Sequence, residues 1–154
     1  MKKRWLPVGL LALGIFAVNA IARLVTRLGE IVEPTELDTI GIIASASVGV
    51  ILIGAAAWWA VRYPFSRVFF DIGGAVLVGA LLSLLVGPFI GGSTPFAEGP
   101  GLFVGQFLLF LGIAAVGFFL GFLGMVALGK DWKSRGLRRY EQNYQKRPRR
   151  TVRG

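Results

Sequence analysis

Side chains able to do acid, base or metal chemistry are few in this sequence and scattered. Four carboxylates, Glu30, Glu33, Glu36 and Asp38, fall within nine residues. Calcium prefers carboxylate oxygens, but this spacing matches no calcium loop, so the segment reads as a solvated acidic loop. Asp71 follows Arg67 by one helical turn, which suits a helix cap or an ion pair better than proton transfer. Asn19, Ser45, Ser47, Ser83 and Gln106 are the polar residues set within long apolar stretches. Isolated neutral groups of this kind bond to a neighbouring helix or back to their own carbonyls more often than they line a permeation path. Arg147, Pro148, Arg149 and Arg150 resemble a basic processing site, which on a cytoplasmic tail has no obvious consequence.

The chain contains neither cysteine nor histidine. That removes disulfides, thiolate nucleophiles, the usual ligands of zinc, copper and haem, and the general base of serine and cysteine hydrolases. No catalytic residue, metal site or cofactor is expected, and an enzyme would have to work with carboxylates, lysine or tyrosine alone.

The elements that position these residues are long and apolar. Apolar residues make up 55% of the chain, too much for a domain that must present a polar surface to water. Residues 5–22, 40–61, 72–97 and 101–129 carry no Asp, Glu, Lys or Arg, and a helix of about 20 such residues crosses a hydrocarbon core of about 30 Å. The expected fold is an all-α integral membrane protein, four transmembrane helices in an antiparallel bundle with both termini cytoplasmic and a disordered basic C-terminal tail. The transmembrane domain covers residues 1–129, with helices at about 5–28, 36–61, 68–90 and 101–129, and the tail covers 130–154.

The first run follows Lys2, Lys3 and Arg4 and ends in small residues, like a secretory signal. It outlasts a signal core of about 7 to 15 residues, which favours a retained helix. Arg23 and Arg27 near its end can extend their charged tips to the headgroup layer. Thr35 to Asp38 after Pro34 resemble a capping box, placing the second helix start near Glu36. Pro64 ends that helix, Ser66 or Asp71 is placed to cap the third, and the glycine- and proline-rich segment 91–100 separates the third from the fourth.

Charge sets the orientation. Of the 17 Lys and Arg, ten lie after Gly129, and five more lie in the N-terminus and the turn between the second and third helices. Only Arg23 and Arg27 fall on the opposite side, so the basic side is read as cytoplasmic and the membrane as the cell membrane. Trp5, Trp58, Trp59 and Trp132 stand beside those charges, where indole favours the interface.

Small residues recur at helical spacing: Gly41, Ser45, Gly49 and Ala56 on the second helix, Gly73, Ala80, Ser83 and Gly87 on the third, and Ala114, Gly117, Gly121 and Gly124 on the fourth. Such stripes let backbones approach closely, the main source of packing energy in lipid. Gly117 and Gly121 also form a GxxxG pair, which suits either contact with a second copy or packing inside the chain's own bundle, and the internal use is favoured. On the tail, Lys130, Trp132, Lys133, Arg135, Arg138 and Arg139 are expected at anionic headgroups, while nucleic acid is not favoured as a partner. The expected function is therefore that of a non-enzymatic accessory, assembly or membrane-organising protein, with a homo-oligomer or another membrane protein as partner. The alternative is a small oligomeric channel or transporter for an unidentified solute, although the spans lack the ionisable residues that ion coupling uses.

Overall fold

A computed structural model describes residues 2–97 and 99–145, the side chains of 2–4, 143 and 145 excepted. The tail expected to be disordered is helical over 132–145, while its residues from 146 to 154, with the motif around Pro148, lie outside the described residues. The helices are α1 (Lys2–Leu28), α2 (Pro34–Arg62), α3 (Phe65–Leu85), α4 (Gly87–Gly91), α5 (Pro100–Ala127) and α6 (Trp132–Gln145). Four helical segments, α1, α2, α3 together with α4, and α5, are long and apolar enough to cross a membrane. Phe70, Ile42 and Leu109 are 72%, 69% and 65% exposed, and a surface built of such residues has lipid as its fitting solvent.

Proline decides several helix ends. α2 begins at Pro34, with Glu33 extended before it and making no side-chain cap. The capping box expected at Thr35 does not form, because Thr35 already lies inside the helix and its carbonyl accepts a 2.7 Å hydrogen bond from Thr39 Oγ1. The fixed φ of proline is preorganised for the first helical position and starts the helix two residues earlier than expected. Pro64 likewise precedes α3 without a side-chain cap, so neither Ser66 nor Asp71 acts as one. At the far end of α3, Pro88 has no N–H to offer the Leu84 carbonyl. The helix breaks at Val86 and restarts as α4, which Gly92 closes in the left-handed conformation at φ 84. The expected third helix of 68–90 is thus two pieces spanning 65–91.

The two most extensive helix contacts join α2 to α5 and α1 to α3, rather than neighbours in sequence. Both pairs run in step. Gly117 lies against Gly49 and Gly121 against Ile53 and Ala56, while Gly79 lies against Ala12 and Ile15 and Gly87 against Arg23. Phe65 meets Phe122 at 4.9 Å between ring centres and Phe69 meets Phe118 at 6.0 Å, so α3 starts beside the end of α5. Each helix of the α1–α2 hairpin therefore finds its chief partner in the second hairpin. The centre of the bundle is filled by Ile15, Val48, Leu52, Val68 and Ile72.

Candidate functional site

A cleft of about 710 Å³ opens at the end of the bundle that carries the 29–33 and 92–97 segments. It is walled by α1, α2, α3 and α5, and the loops around α4 form its rim. Asn19, Arg23, Arg27, Ser45, Ser83 and Gln106 contribute its polar lining. The break at Pro88 shapes this region. Arg27 Nη1 donates 3.0 Å to the carbonyl of Ile90 in α4, and the stem and Nε of Arg23 lie against Gly87. A methyl group at Gly87 would come within 2.9 Å of that Nε, so the missing side chain makes room for the arginine. Asn19 Nδ2 donates back to the Ile15 carbonyl at 3.1 Å, the internal bonding expected of isolated polar groups. Ser83 differs: it is 3% exposed and its Oγ has no hydrogen-bond partner. Glu30, with φ 49, stands at the rim as the facing carboxylate.

Polar cleft and lipid-facing surface are continuous. Leu37, Gly41, Ser45, Leu109 and Ile113 line both the cleft and an apolar groove of about 970 Å³ between α2 and α5. Gly41 and Gly112 in the groove have nothing within 4 Å of where a Cβ would stand.

The small residues singled out in the sequence divide into three groups. Gly49, Ala56, Gly117 and Gly121 lie where α2 meets α5, Ala114 is buried on α5 beside an apolar cleft toward α3, Gly87 lies against Arg23 of α1, and Ala80 and Ser83 are buried on α3. Gly41 and Ser45 line the cleft and groove instead. Gly73 and Gly124 have open space around them, Gly73 in a shallow apolar cleft of about 490 Å³ between α3 and α5. α3 also approaches α1 closely at Gly79, which the stripe on the third helix did not include. A Cβ there would lie 2.9 Å from Ile15 Cγ2.

The opposite end of the bundle is aromatic and charged. Asp71 is 4% exposed, two turns inside α3, and faces Arg67 Nε at 3.5 Å. Arg67 rests its guanidinium over the Tyr63 ring at 3.9 Å, as Arg62 does over Trp58. Sequence reasoning missed Asp71 as a buried charge because it placed the start of the third helix at residue 68, closer to water. Trp59, expected at the interface, is 6% exposed and belongs to the core.

Beyond α5, Gly129 turns the chain at φ 61 and Asp131 starts α6. Asp131 Oδ2 accepts from the amides of Lys133 at 3.1 Å and Ser134 at 3.4 Å. Hydrogen bonding from the Ser134 side chain, with lesser help from these amides, holds its carboxyl below the usual range. On α6, Leu137, Tyr140 and Tyr144 share an arc of about 60° at 100° per residue, and Arg135, Arg138 and Arg139 occupy another on the far side. Lys130, Trp132, Lys133 and all three arginines are exposed.

Among the described residues, no group of three carboxylates is placed to hold a metal ion. No protein-family model, curated protein or solved structure matches the chain.

Proposed function

We propose that the chain is a non-enzymatic multi-pass protein of the cell membrane, with both termini cytoplasmic, that acts by contact as an accessory, assembly or membrane-organising protein. The observation that carries this reading is α6. It follows the last span directly, yet Leu137, Tyr140 and Tyr144 are 62%, 71% and 69% exposed, and no part of the described chain covers that apolar face. A basic amphipathic helix of this kind rests in the plane of a membrane surface, and each Lys or Arg near anionic lipid adds about 1 kcal/mol of attraction. The burial of Gly117 and Gly121 against α2 disfavours a channel assembled through that pair.

The test is hydrogen exchange of the α6 amides in nanodiscs made with and without phosphatidylglycerol. Slower exchange with the anionic lipid, reversed by high salt or by Lys133→Gln with Arg135→Gln and Arg138→Gln, is expected. Equal exchange in both discs refutes surface docking, and a reporter fused after Gly154 that faces outside the cell refutes the orientation.

A further inference from the structure

We propose that the arginine face of α6 is a docking surface for an acidic segment of another protein, one that presents carboxylates at helical spacing. Such docking rests on α6 lying on the bilayer by its aromatic arc, as proposed above, and supplies the partner that action by contact requires. It does not depend on which way the chain is inserted.

With Trp132 set at 0° and about 100° per residue, Tyr140, Tyr144 and Leu137 fall at about 80°, 120° and 140°. Arg138, Arg135 and Arg139 fall at about 240°, 300° and 340°, so the two arcs are centred about 180° apart. Lys133, at about 100°, stands among the apolar residues and faces the headgroups with them. When the aromatic arc is seated, the arginines stand off the bilayer by about the 10 Å diameter of a helix. That exceeds the Debye length of about 8 Å at physiological ionic strength. Lipid charge reaches them only through this screening, and their hydrogen-bond donors stay open to water.

Among the described residues, none of the three guanidiniums makes an ion pair or a hydrogen bond. Glu141, at about 180°, is the one carboxylate within α6, and three arginines against one glutamate leave an excess of two positive charges. Asp131 is committed to the amides of Lys133 and Ser134, and the carboxylates of residues 30–38 lie at the other end of the bundle. A second copy carries the same excess and cannot supply the missing charge. Arg138 is also held in place: its Nη2 would stand 3.2 Å from a Cβ at Gly129, the left-handed residue of the turn, and the missing side chain gives it that room. A guanidinium fixed without a carboxylate presents its fork for bidentate pairing. Arg138 and Arg139 stand three and four residues after Arg135, so all three meet a helix whose carboxylates repeat at that spacing. Nucleic acid fits less well, because single strands use aromatic platforms beside a basic groove. Tyr140 and Tyr144 are turned to the lipid, and of the α6 aromatics only Trp132 borders the arginines.

The experiment uses the full chain in phosphatidylglycerol nanodiscs, with α6 amide exchange measured in the same discs. The probes are a labelled helical peptide with glutamates three and four residues apart on one face, a peptide of the same composition with those glutamates scattered round the helix, and a single-stranded RNA of equal charge. The one-faced peptide is expected to bind, and the scattered one to bind several-fold more weakly. Arg138→Gln should weaken binding by about tenfold or more, the factor for losing one charge-assisted hydrogen bond. Arg138→Lys, which keeps the charge but not the fork, should weaken it as well. Arg135→Gln, away from the turn, should match Arg138→Gln and decides the question if the latter disturbs the elbow. Lys133→Gln should speed α6 exchange while leaving peptide binding unchanged. Equal binding of the two peptides, or unchanged binding by Arg138→Lys, overturns the proposal, since diffuse attraction then suffices. Tighter binding of the RNA overturns it too. Protected α6 amides without peptide capture refute this docking alone, whereas unprotected amides refute the membrane contact beneath it.

Discussion

Gly121→Ala should be among the most damaging single-methyl additions in the bundle. A Cβ at residue 121 would overlap the Ile53 carbonyl oxygen and stand 2.9 Å from Ala56 Cβ and 3.0 Å from the Ile53 carbonyl carbon. Carbon atoms pack best at about 3.5–4.0 Å, and two of these three neighbours are main-chain atoms that no rotamer change can withdraw. α5 must therefore move off α2, which also loosens the Gly117–Gly49 contact one turn away. Overpacking costs about 1–3 kcal/mol, and Gly121→Ala belongs at or above the top of that range. Gly117→Ala meets the Gly49 carbonyl oxygen at 3.0 Å and Leu52 Cβ at 3.1 Å, which places it lower, at about 1–2 kcal/mol. Gly124→Ala has nothing within 4 Å and should change stability by less than about 0.5 kcal/mol. Equilibrium unfolding in mixed micelles of mild detergent and dodecyl sulfate gives all three values, with size-exclusion chromatography alongside. Equal stability of the Gly121 and Gly124 variants would refute the reasoning. So would a variant whose monomer is unaffected while an oligomer dissociates, since the pair would then join two copies.

Gly79→Ala should cost about 1–3 kcal/mol by crowding Ile15. In a double-mutant cycle with Ile15→Ala the two losses should fall short of additive by at least about 0.5 kcal/mol, and simple additivity would place the contact elsewhere. Asp131→Ala should destabilise α6 by about 1 kcal/mol through loss of its cap. Because the folded carboxyl titrates below its unfolded value near 3.9, the cap is fully effective above that pH and is lost as pH falls through the lower folded value. Amide exchange at Lys133 and Ser134 reads this directly, Asp131→Asn should abolish the acid transition, and an unchanged acid transition in that variant contradicts the assignment.

The four spans were legible because unbroken apolar length has one main explanation in a chain of this size. Their ends were less so, since competing signals stood side by side. At the start of α2 the hydroxyl of Thr35 and the ring of Pro34 both mark an N-terminus, and the ring prevailed. The break at Val86 follows from Pro88, yet the same proline also fits a simple helix end. Helix faces were only half legible. On α5 the small residues cluster in one arc, and Gly117 and Gly121 within it lie on α2. On α3, Gly73, Gly74 and Gly79 offer several equivalent faces, and only the bulk of Ile15 across the gap selects Gly79. The cleft was not legible at all. Asn19, Arg23, Ser45, Ser83 and Gln106 come from four spans, and their convergence depends on which helices pair, which no local pattern records.

The pairing of α1 with α3 and α2 with α5 bears on how the molecule is made. When synthesis has reached Arg62, two hydrophobic segments have been made while the principal mate of each is still untranslated. Gly49, Ala56 and Ile15 then face acyl chains, or whatever escort the insertion machinery provides, until the later segments arrive. Assembly is thereby deferred to the end of translation, and the nascent half is the stage at which quality control has the most surface to grip.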